Sequence, residues 1–532
     1  MAERPVPSVS QPYSRLTMTQ PALTTDKSSN TGKWMALVAA ILGWMFDGFE
    51  MGLFPLTGRE ALTDLLTESK AGLTPEQIAA MKDTAKAAAD KWFGVIMAVF
   101  LIGAATGGVV FGWLGDKIGR VRAMSMSIFT FAIFSGLCGF AQEAWHIAVL
   151  RFIASLGMGG EWSLGVALVT EIWSGKSRAF VAGLIGAAAN VGFLLCGIIS
   201  IILRENLEPN APYPWRALMI SGAVPALFIF FIRIFVPESE KWQHEKNTGS
   251  TSHWQTSDLL GVLGGCVAAG AVIVVWSPAV TSPWIQWPVT VVGVIIAMFG
   301  YMYPVKRYLF RADAAAVTAG TAAMSHGGET GSVMRRLLLG AGLTGVALMG
   351  TWGTIQWMPA WTGDLSKAAG TSDGPGVTYA KEYVQIVLAI GAVIGTIIAA
   401  VVADRFGRRI TYTLMCLGSF GACQLLFRED MTYGWRYLWL VFLAGGMTAS
   451  FYGFFPFYLP ELFRTRIRAT SQGFAFNFGR VLAAIGALQT ANLKAAFDGS
   501  FARAGAAMAA IYFIGVIIIW FGPETKGRAL PE

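Results

Sequence analysis

Five ionisable residues, Asp47, Glu50, Arg151, Glu161 and Arg480, fall inside long apolar stretches of this chain. A charge in hydrocarbon costs about 3 kcal/mol or more, so residues of this kind face a cavity and mark a path for solute or protons. Asp47 and Glu50 are three residues apart and share one helical face. Burial raises a carboxyl's affinity for its proton and a nearby cation lowers it, so a moving helix or an arriving anion can load and unload such a group. Asp47, Glu50 and Glu161 are therefore the candidates for proton coupling. The alternative for any one of them is a permanent pair with Arg151 or a lysine. Glu161 lies ten residues beyond Arg151, roughly 15 Å along a helix, which gives the two separate partners.

Arg480 sits near the middle of its apolar stretch. Its guanidinium is always charged, and its planar fork matches a carboxylate with two charge-assisted hydrogen bonds. Anion recognition is the expectation, against a fixed pair with a carboxyl on another helix. Asn477, three residues earlier, and Arg151 are further candidates for substrate binding, although Arg151 lies closer to a helix end and could snorkel. Gln356 among Trp352, Trp357 and Trp361, together with Asn190, Gln385 and Tyr452, would complete a cavity of rings and neutral hydrogen-bonding groups. Such a mixture suits a small polar organic ligand.

These residues are carried by an unusually apolar chain of 532 residues, 54% hydrophobic and 14% charged, with mean hydropathy +0.54. Soluble proteins are about 25% charged, so this is an all-α membrane protein. Fourteen segments approach the ~20 residues needed to cross a bilayer: 34–56, 91–114, 121–141, 145–168, 178–203, 214–236, 258–277, 284–303, 335–358, 380–403, 411–427, 434–459, 467–491 and 503–522. Residues 1–33 contain no apolar run and read as a disordered cytoplasmic tail rather than a signal peptide, and 523–532 as a second cytoplasmic tail. Lys and Arg concentrate on the side that places both termini inside; the mixed-charge loop 57–91 counts little toward this. The net charge of +8 thus reflects topology and not nucleic-acid binding. Cys138, Cys196, Cys266, Cys416 and Cys423 lack CxxC spacing, and His146, His244, His253 and His326 lie in loops or at a helix end, so neither a metal nor a cofactor is expected. Gly175-Lys176-Ser177 has Thr170 where a phosphate-binding loop needs glycine, which argues against ATP.

The chain repeats itself. Gly115–Arg120 (GDKIGR) returns as Ala403–Arg408 (ADRFGR), Glu171 with Arg178 returns as Glu461 with Arg468, and the PES of Pro237–Ser239 returns as the PET of Pro523–Thr525. Six spans occupy 34–236 and six occupy 335–522, leaving 237–334 as a central insert with its own hairpin, 258–303. Together these motifs resemble the major facilitator superfamily. The resemblance implies two six-helix halves that rock about a central cavity. It also implies a cytoplasmic gate formed by Asp116, Arg120, Arg122, Glu171, Arg178, Asp404, Arg408, Arg409, Glu461 and Arg468, paired when the protein opens outward and separated when it opens inward.

Asp47-Gly48-Phe49-Glu50, Gly157-Met158-Gly159-Gly160-Glu161 and Asn477-Phe478-Gly479-Arg480 resemble the sialate:proton symporter family or the neighbouring metabolite:proton symporters, with Glu50 standing where that family would carry Asp. This resemblance implies a monomeric symporter in a bacterial inner membrane, no enzyme, importing protons with a small organic anion such as sialate or a monocarboxylate. A sugar porter, with Arg480 structural and the Asn and Gln side chains binding hydroxyls, is the nearest alternative; drug efflux and a solute-sensing receptor are more distant.

Overall fold

Apolar segments in lipid must satisfy their backbone hydrogen bonds internally, which leaves the helix as the spanning form for segments of this length. In the computed structural model, which describes residues 30–67, 75–173, 178–206, 214–276, 282–318, 327–355, 358–369 and 379–531, the regular elements are all helical. The first part of the chain builds α1 (Asn30–Thr67), α2 (Pro75–Ile118), α3 (Arg120–Leu137), α4 (Ala144–Ile172), α5 (Arg178–Asn206), α6 (Pro214–Ser221) and α7 (Phe228–Phe235). After the short α8 (Glu240–Asn247) come α9 (Leu259–Val275) and α10 (Pro283–Thr318). The remainder comprises α11 (Gly327–Thr354), α12 (Met358–Ala369), α13 (Ala380–Phe406), α14 (Arg408–Leu426), α15 (Trp435–Ala449), α16 (Phe451–Tyr458), α17 (Arg468–Asn477), α18 (Gly479–Ala496), α19 (Phe501–Met508) and α20 (Ile511–Ile518).

Eleven helical stretches among the described residues are long and apolar enough to cross a bilayer, α9 and α10 included. The three other expected spans are helical too, but 214–236 is split into α6 and α7 around Pro225, 467–491 is split at Phe478, and α14 is less apolar. The tail expected at 1–33 lies mostly outside the described residues, and Asn30–Lys33 already belong to α1. The loop expected at 57–91 is a correction: α1 runs on to Thr67 and α2 starts at Pro75. That segment is rich in Ala, Leu, Lys and Glu, strong helix formers whose charge does not stop a helix that leaves the membrane, and Pro is favoured at a first helical position.

Two seams join the helices of the first repeat to those of the second: α2 packs on α17 and α18, and α5 packs on α13 and α16. The α2–α17 seam is closed by glycine, since a Cβ on Gly473 would lie 1.9 Å from the Gly108 carbonyl oxygen. The α9–α10 hairpin packs on α2, where the Tyr301 hydroxyl and Thr106 Oγ1 are 2.8 Å apart, and it also touches α17 and α18. At the same end of the bundle as the Gly-Arg turns, two glutamates cap helix starts. Glu238 accepts from the amides of Arg120 (2.8 Å) and Val121 (3.2 Å), and Glu524 from those of Arg408 (2.9 Å) and Arg409 (3.2 Å). An acid at a helix N-terminus is favoured by both the free amides and the helix dipole.

Burial acts to raise the Glu524 pKa, but the amides of Arg408, Arg409 and Lys526 outweigh it and hold the carboxyl below its ordinary value. A lowered folded-state pKa gives stability that is complete above the unfolded value of about 4.3 and lost as pH falls through the lower folded value. The melting-temperature gap between the parent and Glu524→Gln should therefore be constant above about pH 5 and shrink in acid. In a separate test, Gly473→Leu should wedge α2 from α17 and expose the intervening surface, read as faster hydrogen exchange in Ala469–Asn477.

Candidate functional site

The first and fourth spans meet where α1 carries glycine. A Cβ on Gly43 would lie 2.0 Å from Glu161 Oε1, so only glycine leaves room for that carboxyl against α1. One helical turn on, Asp47 faces the same place, and the Asp47 and Glu161 carboxyls interact side by side, with Asp47 Oδ1 and both Glu161 oxygens lacking a hydrogen-bond partner among the described residues. Both are buried, at 2% and 1% exposure, and among the described residues neither forms an ion pair. A hydrogen bond between two carboxyls requires a proton on one of them.

Glu50 points elsewhere. Arg151 Nη1 approaches its Oε1 at 3.1 Å, and Ser135 Oγ donates to the same oxygen at 3.1 Å. The Arg151 guanidinium lies 4.6 Å from the Phe100 ring centre and 5.0 Å from that of Phe54. Arg151 is thus buried and paired rather than snorkelling, and Glu50, not Asp47, takes the paired alternative. Arg151 and Glu161 do not pair with each other: Arg151 meets Glu50, and Glu161 has no ion pair among the described residues.

Arg480 follows the helix break at Phe478 and lies 5.6 Å from the Phe476 ring centre. It is 5% exposed, and its Nε and Nη1 have no hydrogen-bond partner among the described residues. Asp47, Glu50 and Tyr452 are within electrostatic reach. Phe476 stacks on Trp162 (centroids 3.7 Å apart), and Trp44 meets Trp162, Phe476 and Tyr452 edge-on at 5.6, 6.1 and 6.5 Å. Arg480, Trp44, Tyr452, Asn190, Gln385 and Trp352 all line one cavity with about 820 Å³ of empty space, open solvent included. Asn477 does not line it: its Nδ2 donates to the carbonyls of Gly159 (2.9 Å) and Gly473 (3.0 Å), tying α17 to α4. Gln356 lies outside the described residues. The Trp44–Trp162–Phe476 cluster is not singled out by charge or spacing in the chain, although Trp44 precedes Asp47 by three residues and so shares its face.

The bundle is shut at the end bearing the Gly-Arg turns. Glu171 meets Arg120 (3.1 Å) of its own repeat and Arg468 (3.2 Å) of the other. Glu461 meets Arg408 (2.6 Å) of its own repeat and Arg178 of the other. Ser239 donates to Glu171 as Thr525 donates to Glu461. Asp116, 3.1 Å from Arg120, also accepts from the Thr470 amide (2.9 Å) and hydroxyl (2.6 Å) across the seam. Its counterpart Asp404 is exposed, as is Arg122, while Arg409 donates to the Gly522 carbonyl. From this closed end the cavity lining climbs α1 through Trp44, Met51 and Pro55 toward the opposite end. There Arg204 bridges Glu60 (2.8 Å) and Glu382 (3.3 Å).

The profile of the "Sugar (and other) transporter" family matches residues 35–258 and 328–532, leaving out the segment that holds α9 and α10. A Haemophilus influenzae protein named for metabolite transport is 26% identical, covering 95% of this chain and all of that one. The cis,cis-muconate transport protein of Acinetobacter baylyi is 27% identical over 81% of this chain and 86% of its own length. The sialic acid transporter NanX of Escherichia coli is 29% identical over 41% of this chain and 48% of its own. In fold the chain is similar to the proton:xylose symporter XylE, with TM-score 0.64 and 17% identity, covering 94% of this chain and 98% of that one.

Removing one partner of a buried ion pair costs about 3–5 kcal/mol. Glu171→Gln or Glu461→Gln should accordingly loosen the closed end, and thiol labelling of a cysteine placed at the buried Ser471 should rise several-fold in either variant.

Proposed function

The chain belongs to the sugar (and other) transporter family, and so to the major facilitator superfamily; on that footing we propose that it is a proton-coupled symporter importing a small organic anion by alternating access. The observation that carries this reading is Arg480, which lines the cavity with its Nε and Nη1 unpartnered among the described residues. A buried cation without a fixed counter-ion is expensive to keep, and a substrate carboxylate would supply two charge-assisted bonds to it. Asp47 and Glu161 form the proton-loading pair a short distance away, and Glu50 with Arg151 holds α1 to α4.

Under this reading the chain crosses the membrane fourteen times. Two six-helix halves, 34–236 and 335–522, flank a two-helix insert, both termini are cytoplasmic in a bacterial inner membrane, and the closed end is the cytoplasmic gate. The structure is then the outward-facing state, ready to take a proton and an anion. Uptake of one proton with one monocarboxylate moves no net charge, so the pH gradient would drive it. Each additional proton would add about 2.3 kcal/mol per 100 mV of membrane potential.

The test is purified protein in liposomes with an inward proton gradient and pyranine inside, challenged with organic acids and with glucose and xylose. Acidification is expected with an acid and not with a sugar. Asp47→Asn should abolish the proton signal. Arg480→Gln, which removes hydrogen bonds to a charged group worth about 1.5–3 kcal/mol, should weaken the acid about 10- to 100-fold. A sugar response that survives in Arg480→Gln would replace the anion reading with that of a sugar porter.

A further inference from the structure

We infer that the anion is a flat, unsaturated or aromatic carboxylate carrying few hydroxyls, and not a polyhydroxylated acid such as sialate. The inference rests on the symporter reading above and concerns what surrounds the carboxylate once Arg480 has bound it. Much of the cavity wall is apolar or aromatic, with Met51, Phe193, Trp352, Ile355, Val384 and Leu388 among its members. Four of the neutral side chains on the wall already spend donors on the protein, and the indole N–H groups of Trp44 and Trp352 sit on otherwise apolar rings. Asn190 Nδ2 donates to the Gly186 carbonyl and to Thr396 Oγ1, both at 3.4 Å. Gln385 Nε2 donates to the Phe193 carbonyl at 2.9 Å. The hydroxyls of Thr351 and Thr448 donate to the carbonyls of Ala347 (2.9 Å) and Ala444 (2.7 Å) in their own helices.

Nε and Nη1 of Arg480 are left with no acceptor among the described residues, so the guanidinium still has charge-assisted donors to offer a carboxylate. A polyol entering this wall would leave several hydroxyls without the hydrogen bonds they had in water, and a pocket of this kind disfavours an added hydroxyl by up to about 100-fold. A planar ring or conjugated chain loses nothing of this sort, and it gains offset or edge contacts with the rings of Trp44, Trp352 and Tyr452.

Benzoate, lactate, sialate, gluconate and glucose would be titrated in the pyranine assay, and the concentration giving half-maximal acidification compared. Benzoate is expected to act at a concentration about 100-fold lower than gluconate, a monocarboxylate of equal charge. Trp352→Ala should raise the benzoate value about tenfold while shifting the lactate value by less than half that. If sialate or gluconate acts at benzoate's concentration or below, the inference is wrong and the anion symporter stands. If glucose alone acts, both fall. Should no compound acidify the liposomes, thermal stabilisation of the detergent-purified protein by benzoate and by gluconate reads binding directly. Preferential stabilisation by benzoate would support the inference, and equal or absent stabilisation would overturn it.

Discussion

An ionised group withdrawn from water must find an opposite charge, a proton or a ligand, and this constraint arranges the interior of the bundle. Glu50 and Arg151 answer it with each other. Asp47 and Glu161 lie side by side with no ion pair among the described residues, and a proton on one would let them hydrogen-bond. Arg480 lines the cavity with its Nε and Nη1 unanswered among the described residues. The first solution is a fixed pair; in the proposed symport cycle the second would carry the proton and the third would receive the solute. That division follows from which helices meet, α1 with α4 for the carboxyls and α18 with α2 and α11 for Arg480, more than from any single residue type.

Close helix approach makes those crossings possible. Gly43 admits Glu161 to α1, and Gly473 admits α17 to α2 at the closed end. The Asn477 amide then bonds across to α4. A residue that looks like a ligand group by its position before Arg480 is in practice part of the seam. The hairpin α9–α10 leans on α2 beside that seam, with Tyr301 bonded to Thr106.

Much of this is legible in the chain. Apolar runs locate the helices, repeated motifs locate the two Gly-Arg turns with their glutamates, and charges within apolar runs pick out the five central residues. Spacing along the chain reports local helix ends and shared faces. It is silent about partners brought together from afar, such as Arg178 and Glu461, separated by 283 positions, or Asp116 and Thr470, separated by 354. The duplicated motif also predicts equal roles for Asp116 and Asp404, yet one is buried in the seam and the other is exposed. Symmetry of sequence sets which helix turns are alike, and packing then decides which of them meet. The residues between 57 and 91 mislead for another reason: their high charge suggests a loop, whereas helix propensity there is high and the helix simply leaves the membrane.

The double clasp on each gate glutamate bears on how fast the two ends can interchange. Glu171 and Glu461 each hold one arginine of their own repeat and one of the other. If the seam parts as the proposed alternating access requires, each carboxylate can surrender the foreign arginine and keep the native one, along with its serine or threonine hydroxyl. On that path no bare carboxylate would be created, and the barrier would be lower than a gate of simple pairs would impose. Opening becomes a change of company for the arginines, Arg468 and Arg178 turning to water while the glutamates stay dressed.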